Sequence, residues 1–90
     1  MDHPATGTYY NEELNIGIAF GVDEYCPVLL LPDGSSYILG VSTTGRFECW
    51  EFEFVAQFTW QPGDNFISIK IVKYAGDYTP DKWYVLTPRG

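Results

Sequence analysis

The stretch Arg46–Trp60, RFECWEFEFVAQFTW, contains neither glycine nor proline, and its apolar and polar residues alternate. The alternation changes phase within the stretch: the apolar residues are first Phe47 and Cys49, and then fall on even numbers. The even-numbered set is Trp50, Phe52, Phe54, Ala56, Phe58 and Trp60. A period of two is typical of a half-buried strand. The phase change indicates that something turns the strand over between its two halves.

A straight strand over the whole stretch would be longer than the domain. Its fifteen residues, at about 3.3 Å each, would span roughly 50 Å, whereas a compact 90-residue chain is only about 30 Å across. We therefore predict a β-bulge at Cys49–Trp50, because bulges bend strands at the corners of small barrels. On this interpretation Phe52, Phe54 and Phe58 face the interior, and Glu51 and Glu53 face water.

Composition excludes several classes of protein. With 46% apolar and 18% aromatic residues, the chain has too much apolar surface to be disordered. Its net charge of −7 argues against binding to nucleic acid or to an anionic membrane surface. No apolar run approaches the ~20 residues of a membrane helix. The first residues resemble no signal peptide. We therefore expect a cytoplasmic protein or a piece excised from a longer one.

Turn signals divide the chain into about seven strands. Pro32-Asp33-Gly34 predicts a hairpin with Gly34 in the left-handed conformation, and STTG and QPGDN mark two further links. We predict an all-β antiparallel meander, closed as a lipocalin-like barrel or folded as a compact sandwich. A flexible tail would cover residues 1–7 and a single β domain residues 8–90. The first and last strands are candidate free edges for a homodimer. The predicted strands are Thr8–Tyr10, Leu14–Val22, Cys26–Leu31, Tyr37–Val41, the long strand, Phe66–Tyr74 and Lys82–Thr87.

The motifs GTYYNEELNIGIAF, VLLLPDGSSYIL and EFEFVAQFTW occur in an order that resembles a known accessory domain. That domain is the small lipocalin-like β domain found C-terminal to the catalytic domain of serine β-lactamase-like hydrolases. Its pattern corresponds here to Gly7, Tyr9, Tyr10, Glu13 and Leu14, and the likeness extends over residues 7–74. The resemblance implies a closed meander without catalytic residues. The two cysteines and the Trp-rich tail depart from the pattern.

The residues for nucleophilic or metal chemistry are scarce. His3 is the only histidine, so a serine or cysteine nucleophile would lack the usual base. Cys26 and Cys49 are expected to be buried free thiols, and a disulfide between them is the alternative. We predict no enzyme activity, no cofactor and no metal site.

Carboxylates and aromatic rings are the remaining candidates for a site. Glu51 and Glu53 lie two apart on one strand, a spacing that permits acid–base catalysis but is more typical of a solvated face. Tyrosine and tryptophan are common in interfaces and ligand pockets. We predict that ligand or partner binding involves Tyr25, Glu51, Glu53, Tyr78, Trp83 and Tyr84.

Two functions fit this pattern better than an enzyme does. We expect a small acidic binding module that holds an apolar or aromatic small molecule in its barrel or docks on a protein partner. The alternative hypothesis is an acidic inhibitor, or an immunity or antidefence protein, that blocks a basic site on a partner. The distribution of carboxylates tests the second function. A single acidic patch beside tyrosine or tryptophan favours docking on a basic partner, and an even scatter of carboxylates counts against it.

Overall fold

The computed structural model describes residues 4–21, 26–49, 51–75, 77–78 and 81–89, with backbone alone for 77–78. These residues form nine β-strands and no helix. The strands are β1 (Gly7–Asn11), β2 (Ile16–Phe20), β3 (Val28–Leu30), β4 (Ser36–Val41), β5 (Arg46–Cys49), β6 (Phe54–Thr59), β7 (Ile67–Tyr74), β8 (Asp77–Tyr78) and β9 (Trp83–Arg89).

Eight of these strands, all but the two-residue β8, close into an antiparallel barrel. Strands β1 to β7 follow one another as a meander, and β9 closes the ring between β7 and β1. The prediction of an all-β barrel is confirmed, and the sandwich alternative is wrong. The first and last strands are not free edges, since Tyr9 of β1 pairs with Pro88 of β9. A homodimer through these two edges therefore has no open edge to use.

The stretch that shows the phase change is a hairpin and not one bent strand. Phe47 of β5 lies opposite Ala56 of β6, and the strands run antiparallel. The predicted bulge at Cys49–Trp50 is therefore wrong; Trp50 itself lies outside the described residues. The molecule is 33 Å in its longest dimension, so a straight strand over the whole stretch would not fit. The chain fits because it reverses direction. A register shift does occur further on, where β6 pairs with β7 between Val55 and Ala56.

Apolar side chains fill the barrel interior. Phe47 and Phe54 are fully buried, and Phe47 stacks on Phe58 with ring centroids 4.2 Å apart and planes 3° from parallel. Phe54 faces the interior as predicted, whereas Phe52 and Phe58 are half-buried against the core. Glu51 and Glu53 are exposed, as predicted. The other fully buried large side chains include Ile16, Ile18, Leu29, Leu39, Ile67, Ile69 and Leu86.

The tight links follow the turn chemistry of the sequence. Gly34 has a φ of 89°, the left-handed conformation predicted for the β3–β4 hairpin. The Asp33 carboxylate accepts hydrogen bonds from the Ser35 amide at 2.9 Å and the Ser35 hydroxyl at 2.5 Å. Such local bonds fix the hairpin tip without using the rest of the barrel.

The N-terminal segment and the two thiols complete the fold. Of residues 1–7, Pro4 is buried, the Ala5 carbonyl accepts a hydrogen bond from the Tyr9 hydroxyl at 3.0 Å, and residues 1–3 lie outside the described part. Cys26 and Cys49 do not form a disulfide, and they are half-buried instead of fully buried.

Candidate functional site

Strand direction divides the loops between the two ends of the barrel. In an antiparallel meander every second connection returns to the same end. The connections β1–β2 (12–15), β3–β4 (31–35) and β5–β6 (51–53), together with residues 81–82 before β9, therefore meet at one end. We call this set of residues the acidic end.

Most carboxylates of the described residues lie at the acidic end. Outside it, Glu48 lies on the wall in β5, and Asp64 lies in the β6–β7 turn. Loops that are far apart in sequence thus bring their charges to one surface, which composition alone does not reveal. The carboxylates of the acidic end are Glu12, Glu13, Asp33, Glu51, Glu53 and Asp81.

Lysines neutralise part of this charge. Ion pairs join Lys73 to Glu53 at 2.6 Å, Lys82 to Glu13 at 2.9 Å and Lys70 to Asp81 at 3.1 Å. Among the described residues no ion pair involves the other three carboxylates of this end. These three are Glu12, Asp33 and Glu51.

Aromatic rings form the floor between the acidic loops. Phe52 stacks on Tyr37, with ring centroids 5.5 Å apart and planes 16° from parallel, and it meets Tyr74 edge-on at 5.6 Å. Tyr74 in turn meets the buried Phe54 edge-on at 6.0 Å. The backbone amide of Ala75 donates to the Glu53 carbonyl at 2.7 Å, which ties the β5–β6 loop to the end of β7. The half-buried Phe52 therefore closes this end of the core beneath Glu51 and Glu53.

Burial, hydrogen bonds and neighbouring charges at this end shift the pKa values of Tyr74, Asp33 and Lys82. Desolvation by burial, with a smaller contribution from the Asp33 charge, raises the pKa of Tyr74. Hydrogen bonds, first from the Ser35 hydroxyl and then from its backbone amide, lower the pKa of Asp33. The hydrogen bond to Glu13 raises the pKa of Lys82. Asp33 therefore remains a carboxylate at neutral pH, and its charge acts on the Tyr74 ring of β7 at the same end of the barrel.

The β9 side of the acidic end presents further rings. Trp83 is 45% exposed, and the ammonium of Lys70 lies 5.6 Å from its ring centroid. Lys82 lies 4.8 Å from the ring centroid of Tyr84. These aromatic faces already attract cations from the same chain, as the quadrupole of an aromatic ring favours.

The structure brings together most of the predicted site residues that it describes. Glu51 and Glu53 lie in the β5–β6 loop, and Trp83 and Tyr84 begin β9 at the same end. The backbone of Tyr78 pairs with Lys73 there, but its side chain is not described. Tyr25 lies outside the described residues.

Sequence reasoning missed several residues of this end. The direction of the strands was a usable signal, because alternate hairpin links of an antiparallel meander share an end. The missed residues are Glu12, Asp33, Tyr37, Phe52 and Tyr74.

In the described part of the chain, no group of three or more His, Cys, Asp or Glu side chains is arranged to hold a metal ion. Nor is any described helix long and apolar enough to cross a membrane.

Comparisons with known proteins add no family to this picture. A scan of protein-family models finds no match, and searches of curated proteins and of solved structures give no significant match. The resemblance to the accessory domain of β-lactamase-like hydrolases stays a prediction, and function is argued from the site alone.

Proposed function

We propose that this protein is a non-catalytic interaction module that docks its acidic end on a basic site of another protein. Docking of this kind would cover the basic site and block it, as an acidic inhibitor or immunity-type protein does. The single observation that carries the proposal is the gathering of carboxylates and half-buried rings at one end of the barrel. This uneven distribution of carboxylates favours docking, because charges that served only to keep the protein soluble would be scattered over its surface.

Rings and carboxylates together provide what an interface needs. Aromatic residues supply most of the binding energy of many interfaces, from positions where water is excluded. Complementary charge around them speeds association and fixes orientation more than it adds affinity. Phe52 and Trp83 are the candidate anchors, and Asp33 and Glu51 supply negative charge without an ion pair among the described residues.

The alternative of a small apolar ligand inside the barrel has less support. An eight-stranded barrel has an interior just wide enough to be filled by side chains or to hold one small ligand. Here Phe47, Phe54 and Leu39 are fully buried within it, and Phe47 stacks on Phe58. A ligand would have to displace these side chains, at a cost comparable to opening a core cavity.

Two variants with the same net charge test the docking proposal. Asp33→Asn with Glu51→Gln neutralises two carboxylates of the acidic end, whereas Asp64→Asn with Glu48→Gln neutralises two carboxylates elsewhere. Both change the net charge from −7 to −5. Each pair contains one glutamate and one turn aspartate that accepts a backbone amide, so the two variants perturb folding to a similar degree.

The experiment is capture of proteins from a lysate on immobilised wild type and both variants, with the captured proteins identified by mass spectrometry. We expect a basic protein that binds wild type and the Glu48/Asp64 variant, and binds the Asp33/Glu51 variant about tenfold more weakly, since each exposed charge pair contributes about 1 kcal/mol or less. Binding should weaken between about 0.1 M and about 1 M salt, where the screening length falls from about 10 Å to about 3 Å. Equal capture by the two variants, or capture insensitive to salt, would contradict the proposal.

A further inference from the structure

An open groove of about 260 Å³ lies on the outside of the barrel where β1 meets β9. Tyr10 and Asn11 contribute from β1, Glu12 from the following turn, and Val85, Thr87 and Arg89 from β9. Of these residues only Glu12 also belongs to the acidic end on which the docking proposal depends. Its walls are held by hydrogen bonds: the Asn11 side-chain amide donates to the Val85 carbonyl at 2.9 Å and accepts from the Leu14 amide at 2.9 Å.

Arg89 is the unusual member of the groove. Its guanidinium carbon lies 4.0 Å from the ring centroid of Tyr10, and the Tyr10 hydroxyl donates to the side-chain oxygen of Asn15. Within the described residues every lysine is ion-paired to a carboxylate, but no ion pair involves Arg89. A guanidinium held over a ring keeps its planar set of N–H donors oriented, and this geometry suits a carboxylate bound through two hydrogen bonds.

Glu12 narrows the class of ligand. It lines the same groove, and no ion pair involves it among the described residues. A purely anionic ligand would face this carboxylate and the net charge of −7, both of which repel it. A ligand with a carboxylate and an ammonium group avoids this penalty, because its carboxylate can meet Arg89 while its ammonium meets Glu12.

We propose that this groove binds a small zwitterion of the amino-acid or short-peptide type. The ligand carboxylate pairs with Arg89, its ammonium pairs with Glu12, and its aliphatic part covers Val85, which is 48% exposed. Thr87 also lines the groove and offers a hydroxyl as a further polar contact for the ligand. The proposal does not depend on the docking function, since it shares only Glu12 with the acidic end and involves another class of partner.

The experiment is a titration of the full chain followed by amide chemical shifts in two-dimensional proton–nitrogen NMR spectra. The probes are L-leucine, glycyl-L-leucine, N-acetyl-L-leucine and L-leucinamide. We expect saturable shifts at Asn11, Thr87 and Arg89 with the two zwitterions, and the tighter of these identifies a free amino acid or a peptide as the source. N-acetyl-leucine lacks the ammonium and leucinamide lacks the carboxylate. Each should bind at least about tenfold more weakly, the loss expected for a charge-assisted hydrogen bond.

Variants of Arg89 test its pairing with the ligand carboxylate. Arg89→Gln should weaken leucine or glycyl-leucine binding at least about tenfold, and Arg89→Lys should restore only part of it because the planar donor set is lost. The matched control is Arg46→Gln, which removes the other arginine from strand β5, away from the groove. The proposal is overturned if leucinamide binds as well as leucine, if Arg89→Gln leaves zwitterion binding unchanged, or if neither zwitterion shifts these amides.

Discussion

The barrel interior and the acidic end each contain a stacked aromatic pair to which the β5–β6 hairpin contributes, yet the two pairs are packed differently. Inside, Phe47 and Phe58 stack with centroids 4.2 Å apart and planes 3° from parallel. At the end, Phe52 and Tyr37 stack at 5.5 Å and 16°. Phe47 is fully buried, whereas Phe52 is only partly covered and is flanked by two exposed glutamates.

The difference separates stability from recognition. In the interior pair Phe47 is fully buried, so this closely stacked pair contributes mainly to folding, because the Phe47 ring is already removed from water. A half-covered pair surrounded by carboxylates still has apolar surface that a partner can bury. The same hairpin therefore supplies both a core and a docking surface, with the change occurring over the few residues between Cys49 and Phe54.

The largest expected effect contrasts one ring from each region. Phe54→Ala, which empties a fully buried position, should lower the free energy of unfolding by about 3–5 kcal/mol. Phe52→Ala removes a half-buried ring and should lower it by only about 1–2 kcal/mol. Urea unfolding followed by tryptophan fluorescence measures both. Equal losses would mean that Phe52 is a core residue, and the contrast between core and end would fail.

A smaller effect tests whether the two ends differ in backbone or only in side chains. Gly34 at the acidic end and Gly45 at the opposite end have φ values of 89° and 78°, and an added Cβ would meet nothing within 4 Å at either position. Replacing either residue with alanine should lower the free energy of unfolding by about 1–2 kcal/mol, the cost of the left-handed conformation. Thermal unfolding followed by circular dichroism measures both. A loss at one end alone would show that their turns are not equivalent.

The smallest effect is a dependence on alkaline pH at the acidic end. The pKa of Tyr74 is raised on folding, mainly by desolvation, so the folded state holds its proton at pH values where the unfolded state releases it. Stability from this group is complete below its ordinary pKa near 10 and is lost as pH rises through the folded value. The raised pKa of Lys82 acts in the same direction.

Absorbance of tyrosinate during a pH titration checks this expectation. Tyr74→Phe should remove a phenol that titrates above the ordinary tyrosine range. Asp33→Asn should lower the pKa of Tyr74 only slightly, because the Asp33 charge is the lesser cause of the upward shift. If the phenol lost in Tyr74→Phe titrates instead within the ordinary tyrosine range, the ring is not shielded from water.

The sequence predicted the architecture better than it predicted the site. Alternation predicted an all-β chain, and Pro32-Asp33-Gly34 predicted its hairpin, because both depend on local periodicity and turn chemistry. The β5–β6 reversal was missed because the connection contains no glycine or proline to mark a turn. The pairing of β1 with β9 was missed because closure depends on contacts between the ends of the chain.

The site depended on that closure. Glu51, Glu53, Trp83 and Tyr84 were selected for residue type alone, and they share one end only because the strands alternate in direction. Asp33 was predicted only as a turn residue. It holds the hairpin tip and also contributes its charge to the acidic end. The groove beside Arg89 had no signal in the sequence, since it requires β9 to lie against β1.

The most direct test of the account is to map where a basic probe binds. Titration of the protein with a tetra-arginine peptide amide, followed by amide chemical shifts, should give the largest shifts in residues 12–14, 33–35 and 51–53. The Asp33→Asn/Glu51→Gln variant should lose most of them, and the Glu48→Gln/Asp64→Asn variant should keep them. Shifts centred on Glu48 or Asp64, or an equal loss in both variants, would contradict the claim that one end of this barrel is its docking surface.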